Sequence, residues 1–444
     1  MFILYNILQL TFLTICLPFI LLKIALTPKY RQRILSRLGL HLPSMDAVND
    51  SGPRIWIHAL SVGEVMSSTA LVREMRRRFP DWVIIYSTST ATGAGIARQK
   101  LSNTADYLIT YPLDLFWSVR QAVKKVRPDL FILIETDLWP NMLSVLSRRG
   151  TPIILLNGRM SDASFNNYKR FSLFFRPIFS LIDKFAMQSR VDEERMTELG
   201  ITPRKIYRIG NLKFDQERTH ISEKDIETLR SVLRIPAGGR VFLAGSTHKG
   251  EEEIILSAYG KLIFTYPDLF LILAPRDPGR ADEVKRLAQS AGLDAYKKTE
   301  LPGLPESKTV RIVVLDTLGE LSKLYTLATV AFIGGSLAPK RGHNVLEVAA
   351  HAKPVVFGPH TEDFKEAATA LIRKGGGYMV NSANELVNIL EIILSNDVLA
   401  QKAGERAFQV IEENRGAVGK AIDLISKTIG EQTITGGNCN KRHK

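Results

Sequence analysis

Cysteine is almost missing from this chain. Cys16 and Cys439 are the only two in 444 residues, one in an apolar N-terminal run and one in a polar tail. That excludes a disulfide framework and a cysteine-built zinc site. His343, His351 and His360 lack a metal-ligand spacing such as H-E-x-x-H, so no metal site is expected. Both familiar nucleotide fingerprints are missing too. No G-x-x-x-x-G-K-[ST] occurs, and "TGAGIAR" (92–98) carries Arg98 where G-x-G-x-x-G needs its third glycine. No repeat of solenoid period is visible. Acidic residues fall short of basic ones, 45 against 59, for a net charge of +14. That surplus favours acidic partners (nucleic acid, phosphorylated substrates or anionic lipid) without choosing among them.

Charge of either sign is absent from the first 22 residues, "MFILYNILQLTFLTICLPFILL". As a helix this run is about 33 Å long, enough to cross a bilayer's hydrocarbon core. Pro18 could kink it near its end. Lys23, Lys29, Arg31, Arg33 and Arg37 follow, with no acidic residue before Asp46. The positive-inside rule keeps that flank cytoplasmic. A cleaved signal peptide needs a basic start and a small-x-small site, and neither is clear. The expectation is a retained single-pass anchor over 1–22, with a monotopic or packed apolar helix as the alternative, then a basic juxtamembrane segment and linker over 23–52.

Beyond residue 52 the chain settles into a rhythm. Short β-branched apolar runs alternate with amphipathic segments: "RIWIHAL" (54–60), "WVIIYST" (82–88), "DYLITYP" (106–112), "LFILIET" (130–136), "PIILLNG" (152–158) and "KFAMQS" (184–189). Nearly continuous hydrophobicity marks strands buried on both faces, and the alternation marks βαβ units. After a polar stretch the rhythm restarts with "RVFLAGST" (240–247), "LFLILAP" (269–275), "RIVVLD" (311–316), "VAFIGGS" (330–336) and "KPVVFGP" (353–359). At 444 residues, two domains are the natural reading. The expected organisation is an α/β chain of two tandem Rossmann-like domains, 53–211 and 236–398, joined by a linker over 212–235. C-terminal helices over 399–430 and a disordered tail over 431–444 complete it.

Ligands of doubly wound folds bind at the carboxyl ends of the strands. The unusual residues fall there. In "HALSVGE" (58–64), Ser61 and Glu64 have capping-box spacing, and Glu64 in a first turn suits the helix dipole. Equally, Glu64 could be a general base, with Gly63 admitting a substrate. Spacing does not separate the two. In "ETDLWPN" (135–141), Glu135 and Asp137 could orient a polyol, pair with Arg159, or satisfy a turn. "NGRMSD" (157–162) adds Ser161. "GSTHKGEEE" (245–253) offers Ser246, Thr247 and His248 in a small-residue loop before a helix, where a phosphate or a plain cap would fit. "APRDPGR" (274–280) offers Arg276 as a bidentate clamp or a solvated side chain. "GGSLAPKRGHNVLE" (334–347) is the densest: Gly334, Gly335, Ser336, Gly342, His343 and Asn344, with Glu347 placed to accept from ribose hydroxyls. Two facing rows of such loops would form a cleft between the domains. "SFNNYKRFSLFFRPIFSLID" (164–183) mixes five phenylalanines with three cations, a core stripe or a helix lying on an anionic bilayer. Its place in the anchored domain favours the bilayer slightly.

"HALSVGEV", "ETDLWPN", "NGRMSDASFNNY", "GSTHKGEEE", "LAPRDPGR" and "RGHNVLE" with "GPHTEDF" occur in the order found in the 3-deoxy-D-manno-octulosonic acid (Kdo) transferases of lipopolysaccharide assembly. The chain resembles that family from the anchor to about residue 425. The resemblance implies a GT-B architecture, with CMP-Kdo bound mainly by the second domain. It implies a lipid A precursor as acceptor, bound by the first domain against the inner membrane, with the catalytic domains on the cytoplasmic side. It implies inversion of the anomeric centre without a metal or cofactor. Glu64 matches the family's proposed base. Asp137, Asp277, Arg341 and Asp363 depart from the family's usual residues. Two other readings stand beside it. One is a GT-B enzyme using another nucleotide sugar. The other is a tethered binder of anionic lipid or nucleic acid, which leaves the strand-end loops unexplained; no nucleic-acid partner is expected.

Overall fold

The computed structural model describes residues 2–26, 34–45, 52–215 and 221–435. The chain divides into two compact units, one of residues 1–215 with 414–444 and one of residues 216–413.

In the first unit the apolar runs become β1 (Arg54–Ala59), β2 (Val83–Thr88), β3 (Tyr107–Thr110), β4 (Leu130–Ile134), β5 (Ile153–Gly158), β6 (Lys184–Met187) and β7 (Ile206–Arg208). They form one parallel sheet in the order β3-β2-β1-β4-β5-β6-β7. The sheet is buried on both faces. Trp56, Phe131 and Phe185 pack into one core and Ile57, Tyr86 and Ile132 into the other. Successive strands run outward from β1 on one side and from β4 on the other. The topological switch point, where such sheets open to ligand, therefore lies between β1 and β4.

The basic segment before β1 is not a free linker. Leu42 and Met45 join the core, and Arg54 donates to the carbonyls of Val126 (3.1 Å) and Met45 (3.2 Å). Residues 27–33 and 46–51 of that expected segment lie outside the described residues. The phenylalanine-rich stretch breaks into the helices Asp162–Arg170 and Ser172–Phe179. Phe165, Phe174 and Phe175 pack on the core and Phe179 is buried within it, while Phe171 and Leu173 face outward. Most of that stripe is therefore core rather than membrane contact.

The second unit repeats the plan with β8 (Val241–Thr247), β9 (Phe270–Pro275), β10 (Ala295–Lys297), β11 (Ile312–Val314), β12 (Val330–Ile333), β13 (Val355–Phe357) and β14 (Gly377–Met379). The order is β10-β11-β9-β8-β12-β13-β14, all parallel. Its switch point lies between β8 and β12. The expected linker over 212–235 contains the helix Glu223–Val232, which begins at a Ser222 cap.

The C-terminal helices part company. Asp397–Asn414 lends Ala400 to the second unit's core. Ala417–Thr435 returns to the first unit, where Ala421, Ile422 and Ile425 complete a core face. Asp215 fixes the return by accepting from the Gly416 N–H at 2.7 Å and from the Val418 N–H. Helix therefore runs to Thr435, into the stretch expected to be disordered; 436–444 lie outside the described residues. At the other end, the helix Phe2–Leu26 passes through Pro18 unbroken and is long and apolar enough to cross a membrane.

Candidate active site

Glu64 stands at the first unit's switch point. β1 ends at Ala59, Ser61 caps the helix Val62–Arg78, and Glu64 falls in its first turn. The cap is reciprocal. The Glu64 N–H donates to Ser61 Oγ at 3.4 Å, Ser61 Oγ donates to Glu64 Oε1 at 3.1 Å, and the Leu60 N–H donates to Oε2 at 2.5 Å. Despite these donors, the Glu64 carboxyl is pushed up to about 7. Burial is the main cause; the negative charges of Glu135 and Asp137, on the loop after β4, add to it. Three carboxylates thus converge across the switch point, and one of them titrates near neutrality. A Cβ on Gly63 would meet nothing nearer than Ser61 Oγ at 3.8 Å, so internal packing does not demand glycine there.

Around this cluster the sheet edge is dense with polar groups that spacing did not single out. His58, the penultimate residue of β1, is fully buried, its ring stacked on Tyr111 at 3.5 Å between centroids. Its Nδ1 lies 3.2 Å from the Ser87 carbonyl and 3.1 Å from Ser87 Oγ. Nε2 is left bare, 3.6 Å from Asp137 Oδ2 and without a hydrogen-bond partner among the described residues. Burial holds the imidazole neutral, below its ordinary pKa. Asp137 itself accepts from Trp139 Nε1 at 2.7 Å. Among the described residues Arg159 makes no ion pair with it or with Glu135; the Arg159 carbonyl accepts from Thr136 Oγ1 at 2.7 Å. Ser161 caps its own helix through the Ser164 N–H. Glu135, just after β4, and Asn157, the penultimate residue of β5, both sit at φ 60°. Left-handed backbone is uncommon outside glycine and gathers at functional sites.

In the second unit the loops after β8 and β12 meet. Ser246 sits at φ 55°, and a Cβ on Gly334 would lie 2.3 Å from its carbonyl oxygen, so only glycine fits. His248 and His343 stack, with Nε2 atoms 2.9 Å apart: one imidazole donates and the other accepts. Both are held below their usual pKa, mainly by burial and partly by Arg276; His343 is lowered to about 4. The exposed Arg276 guanidinium makes no hydrogen bond or ion pair among the described residues. Asn344 Oδ1 accepts from the Leu346 N–H at 3.1 Å, and its amide lies 3.4 Å from Glu347 Oε1. Gly342 donates to the Gly335 carbonyl at 2.8 Å.

One feature revises the expected phosphate cradle. Glu251, fully buried, reaches from the helix after β8 into the loop after β12. Its Oε2 accepts from the N–H groups of His248 (2.9 Å) and Gly335 (2.7 Å). Its Oε1 accepts from Ser336 (3.0 Å), Leu337 (2.9 Å) and Ala338 (3.2 Å). The glycine-rich loop does wrap an anion, but the anion is the chain's own. Thr247 and Ser336 are also spoken for. Thr247 Oγ1 donates to Glu252 at 2.9 Å; Ser336 Oγ donates to the Ile333 carbonyl and accepts from the Gly358 N–H at 2.8 Å. Arg276 and Lys340 are left for a ligand, beside the histidine pair, Asn344 and Glu347.

A family profile described as "3-Deoxy-D-manno-octulosonic-acid transferase (kdotransferase)" matches residues 32–216. The chain is 34% identical over 423 residues to the 3-deoxy-D-manno-octulosonic acid transferase of Haemophilus influenzae, covering 93% of this chain and 96% of that protein. This chain belongs to the Kdo transferase family. The relative from Chlamydia pneumoniae is 28% identical over 398 residues, 88% of each chain. Among solved structures, UDP-GlcNAc 2-epimerase from Neisseria meningitidis bound to UDP-GlcNAc matches with a TM-score of 0.58 at 12% identity, over 84% of this chain and 100% of that one. That likeness is one of fold: GT-B, with two Rossmann-like domains. In this Kdo transferase two departures from the family pattern answer one another. Arg341 Nη2 and Nε both donate to Asp363 Oδ1, at 2.8 and 3.0 Å. A third, Asp277, caps its turn by accepting from the Gly279 N–H at 3.0 Å.

Proposed function

We propose that this Kdo transferase moves Kdo from CMP-Kdo to the lipid A precursor lipid IVA, inverting the anomeric centre, at the cytoplasmic face of the inner membrane. The observation that carries the reading is Glu64: a buried carboxyl at a sheet's switch point, lifted to about 7, where a general base works best. Glu64 takes the proton of an acceptor sugar hydroxyl. The freed oxygen attacks the anomeric carbon from the face opposite CMP, and the phosphate leaves with the bonding pair. In the second unit Arg276 and Lys340 meet the phosphate. An anion there offsets the charge of Arg276 and raises the His248–His343 pair towards protonation, adding a donor as negative charge develops. Glu347 accepts from ribose hydroxyls. No cofactor takes part.

The test is transfer itself. Purified full-length protein is given lipid IVA with CMP-Kdo, or with UDP- and GDP-sugars, and the lipid is weighed by mass spectrometry. Kdo-bearing lipid from CMP-Kdo alone is expected; product from another nucleotide sugar, and none from CMP-Kdo, overturns the assignment. Gly63 supplies a second expectation. Because space is open around it, Gly63→Ala leaves the melting temperature unchanged and raises KM for the lipid acceptor. Unaltered transfer kinetics in that variant would show that no substrate passes there.

A further inference from the structure

We propose that the apolar N-terminal helix does not cross the bilayer. It lies in the membrane interface, held to the first unit through its first turns, with both ends on the side of the catalytic body.

Over residues 2–19 the half-buried residues are Phe2, Tyr5, Asn6, Gln9, Leu13 and Cys16. Their spacing of three and four traces one stripe of a helix, and near its start this stripe meets the body. The stripe gathers the polar residues. Tyr5 Oη donates to Asp114 Oδ2 at 3.0 Å, and the side-chain amides of Asn6 and Asn141 exchange two hydrogen bonds of 2.9 Å. The receiving groups belong to the body. Asp114 is buried and accepts from the N–H groups of Asn141 and Met142 at 3.0 and 2.8 Å, capping the helix Pro140–Arg148. Asn141, buried too, donates to the Asp114 carbonyl at 2.6 Å. The opposite face suits lipid. Ile3, Leu4, Ile7, Leu8, Phe12 and Ile15 are each more than half exposed. Thr11 and Thr14, also outward, turn their hydroxyls back onto the carbonyls of Ile7 and Leu10 at 2.9 Å. That leaves no hydroxyl hydrogen unpaired in hydrocarbon.

A crossing excludes this clasp. From Asn6 to Leu26 the helix is about 30 Å long, the thickness of the hydrocarbon core. With the basic flank on the body's side, Tyr5 and Asn6 would sit across the membrane from Asp114 and Asn141. The chain also returns to the same place: the Arg37 carbonyl accepts from the Leu113 N–H at 2.7 Å and from Ser118 Oγ at 2.9 Å, on either side of Asp114. If instead the far end of the helix stood across the bilayer, the return would carry Lys29, Arg31 and Arg33 through hydrocarbon. Each costs about 3 kcal/mol even on the mildest scale. With Tyr5 near its start and Arg37 beyond its end both tied to the loop around Asp114, the helix lies flat. The occupant of its outer face is the anionic leaflet that the flanking cations attract.

The test uses the full chain in native membranes, with a short hydrophilic tag at each terminus. The C-terminal tag marks the side of the body, since the helix Ala417–Thr435 packs on the first unit. Protease is added to inside-out and to right-side-out vesicles. Loss of both tags from the same side is expected. An N-terminal tag protected on the side where the C-terminal tag is lost overturns the proposal. As a second measurement, Asn6→Cys with Asn141→Cys, in a Cys16→Ser/Cys439→Ser background, is treated in membranes with a short bis-methanethiosulfonate cross-linker. An intramolecular cross-link is expected. A folded, active protein that does not form it contradicts the clasp.

Discussion

Glu64→Gln is expected to slow Kdo transfer by at least about 100-fold, the scale for losing a general base. CMP binding and the melting temperature should stay near those of the parent. Glutamine has the same length, and its carbonyl can still accept from the Leu60 N–H that now holds Oε2. The cap of the helix Val62–Arg78 therefore survives, and what disappears is a group able to take a proton near pH 7. The two readings of this residue make opposite forecasts. If Glu64 only caps, glutamine transfers at the parental rate, and alanine costs about 1 kcal/mol of stability without a selective effect on turnover. If Glu64 is the base, glutamine and alanine are similarly slow although they differ in stability. Initial rates, CMP binding and thermal melting on the same preparations decide.

Glu251→Gln should be the most damaging single-atom exchange in the second unit. Each carboxylate oxygen accepts from backbone N–H groups, Oε2 from His248 and Gly335 and Oε1 from Ser336, Leu337 and Ala338. An amide turned either way sets its NH2 against donors and leaves at least two buried N–H groups unsatisfied. The expected cost is about 3 kcal/mol. For a unit of this size that lowers the melting temperature by roughly 6–12 °C. The loop carrying His343, Asn344 and Glu347 loosens with it, so KM for CMP-Kdo rises more than kcat falls. Glu253→Gln is the control. Among the described residues that carboxylate accepts only from the exposed Gly250 N–H, at 2.9 Å, and its loss should be slight. Equal melting temperatures for the two variants would remove Glu251 from this role.

The fold could be read from the chain where burial left a pattern. β1, β4, β5, β8 and β9 are five to seven residues of nearly unbroken apolar character, and they lie where the hydrophobic runs put them. β7, β10 and β14 have three residues each and sit at sheet edges, too short to show a period. The return of Ala417–Thr435 to the first unit was not legible, because an amphipathic helix does not name the surface it covers. The site was legible by loop rather than by bond. Residue type and place single out Glu64 and the loops after β8 and β12 as candidates. Nothing in "GSTHKGEEE" separates Glu251 from an ordinary first-turn acid, since four of its five partners lie 84 to 87 residues away. Asp114 is a single acid in "YPLDL" whose partners, Tyr5 and Asn141, are brought together only by the fold. Arg341 and Asp363 looked like separate departures and are one ion pair.

The pH dependence of kcat/KM tests the central claim most directly. Glu64 must be ionised to accept a proton, and its carboxyl titrates at about 7, so transfer should fall tenfold per pH unit below that value. Glu135→Gln removes a neighbouring negative charge that helps hold the Glu64 pKa up, and the acid limb should move to lower pH. A limb that stays in place in Glu135→Gln, or a parental rate that is level through pH 7, would contradict the assignment of Glu64 as the base.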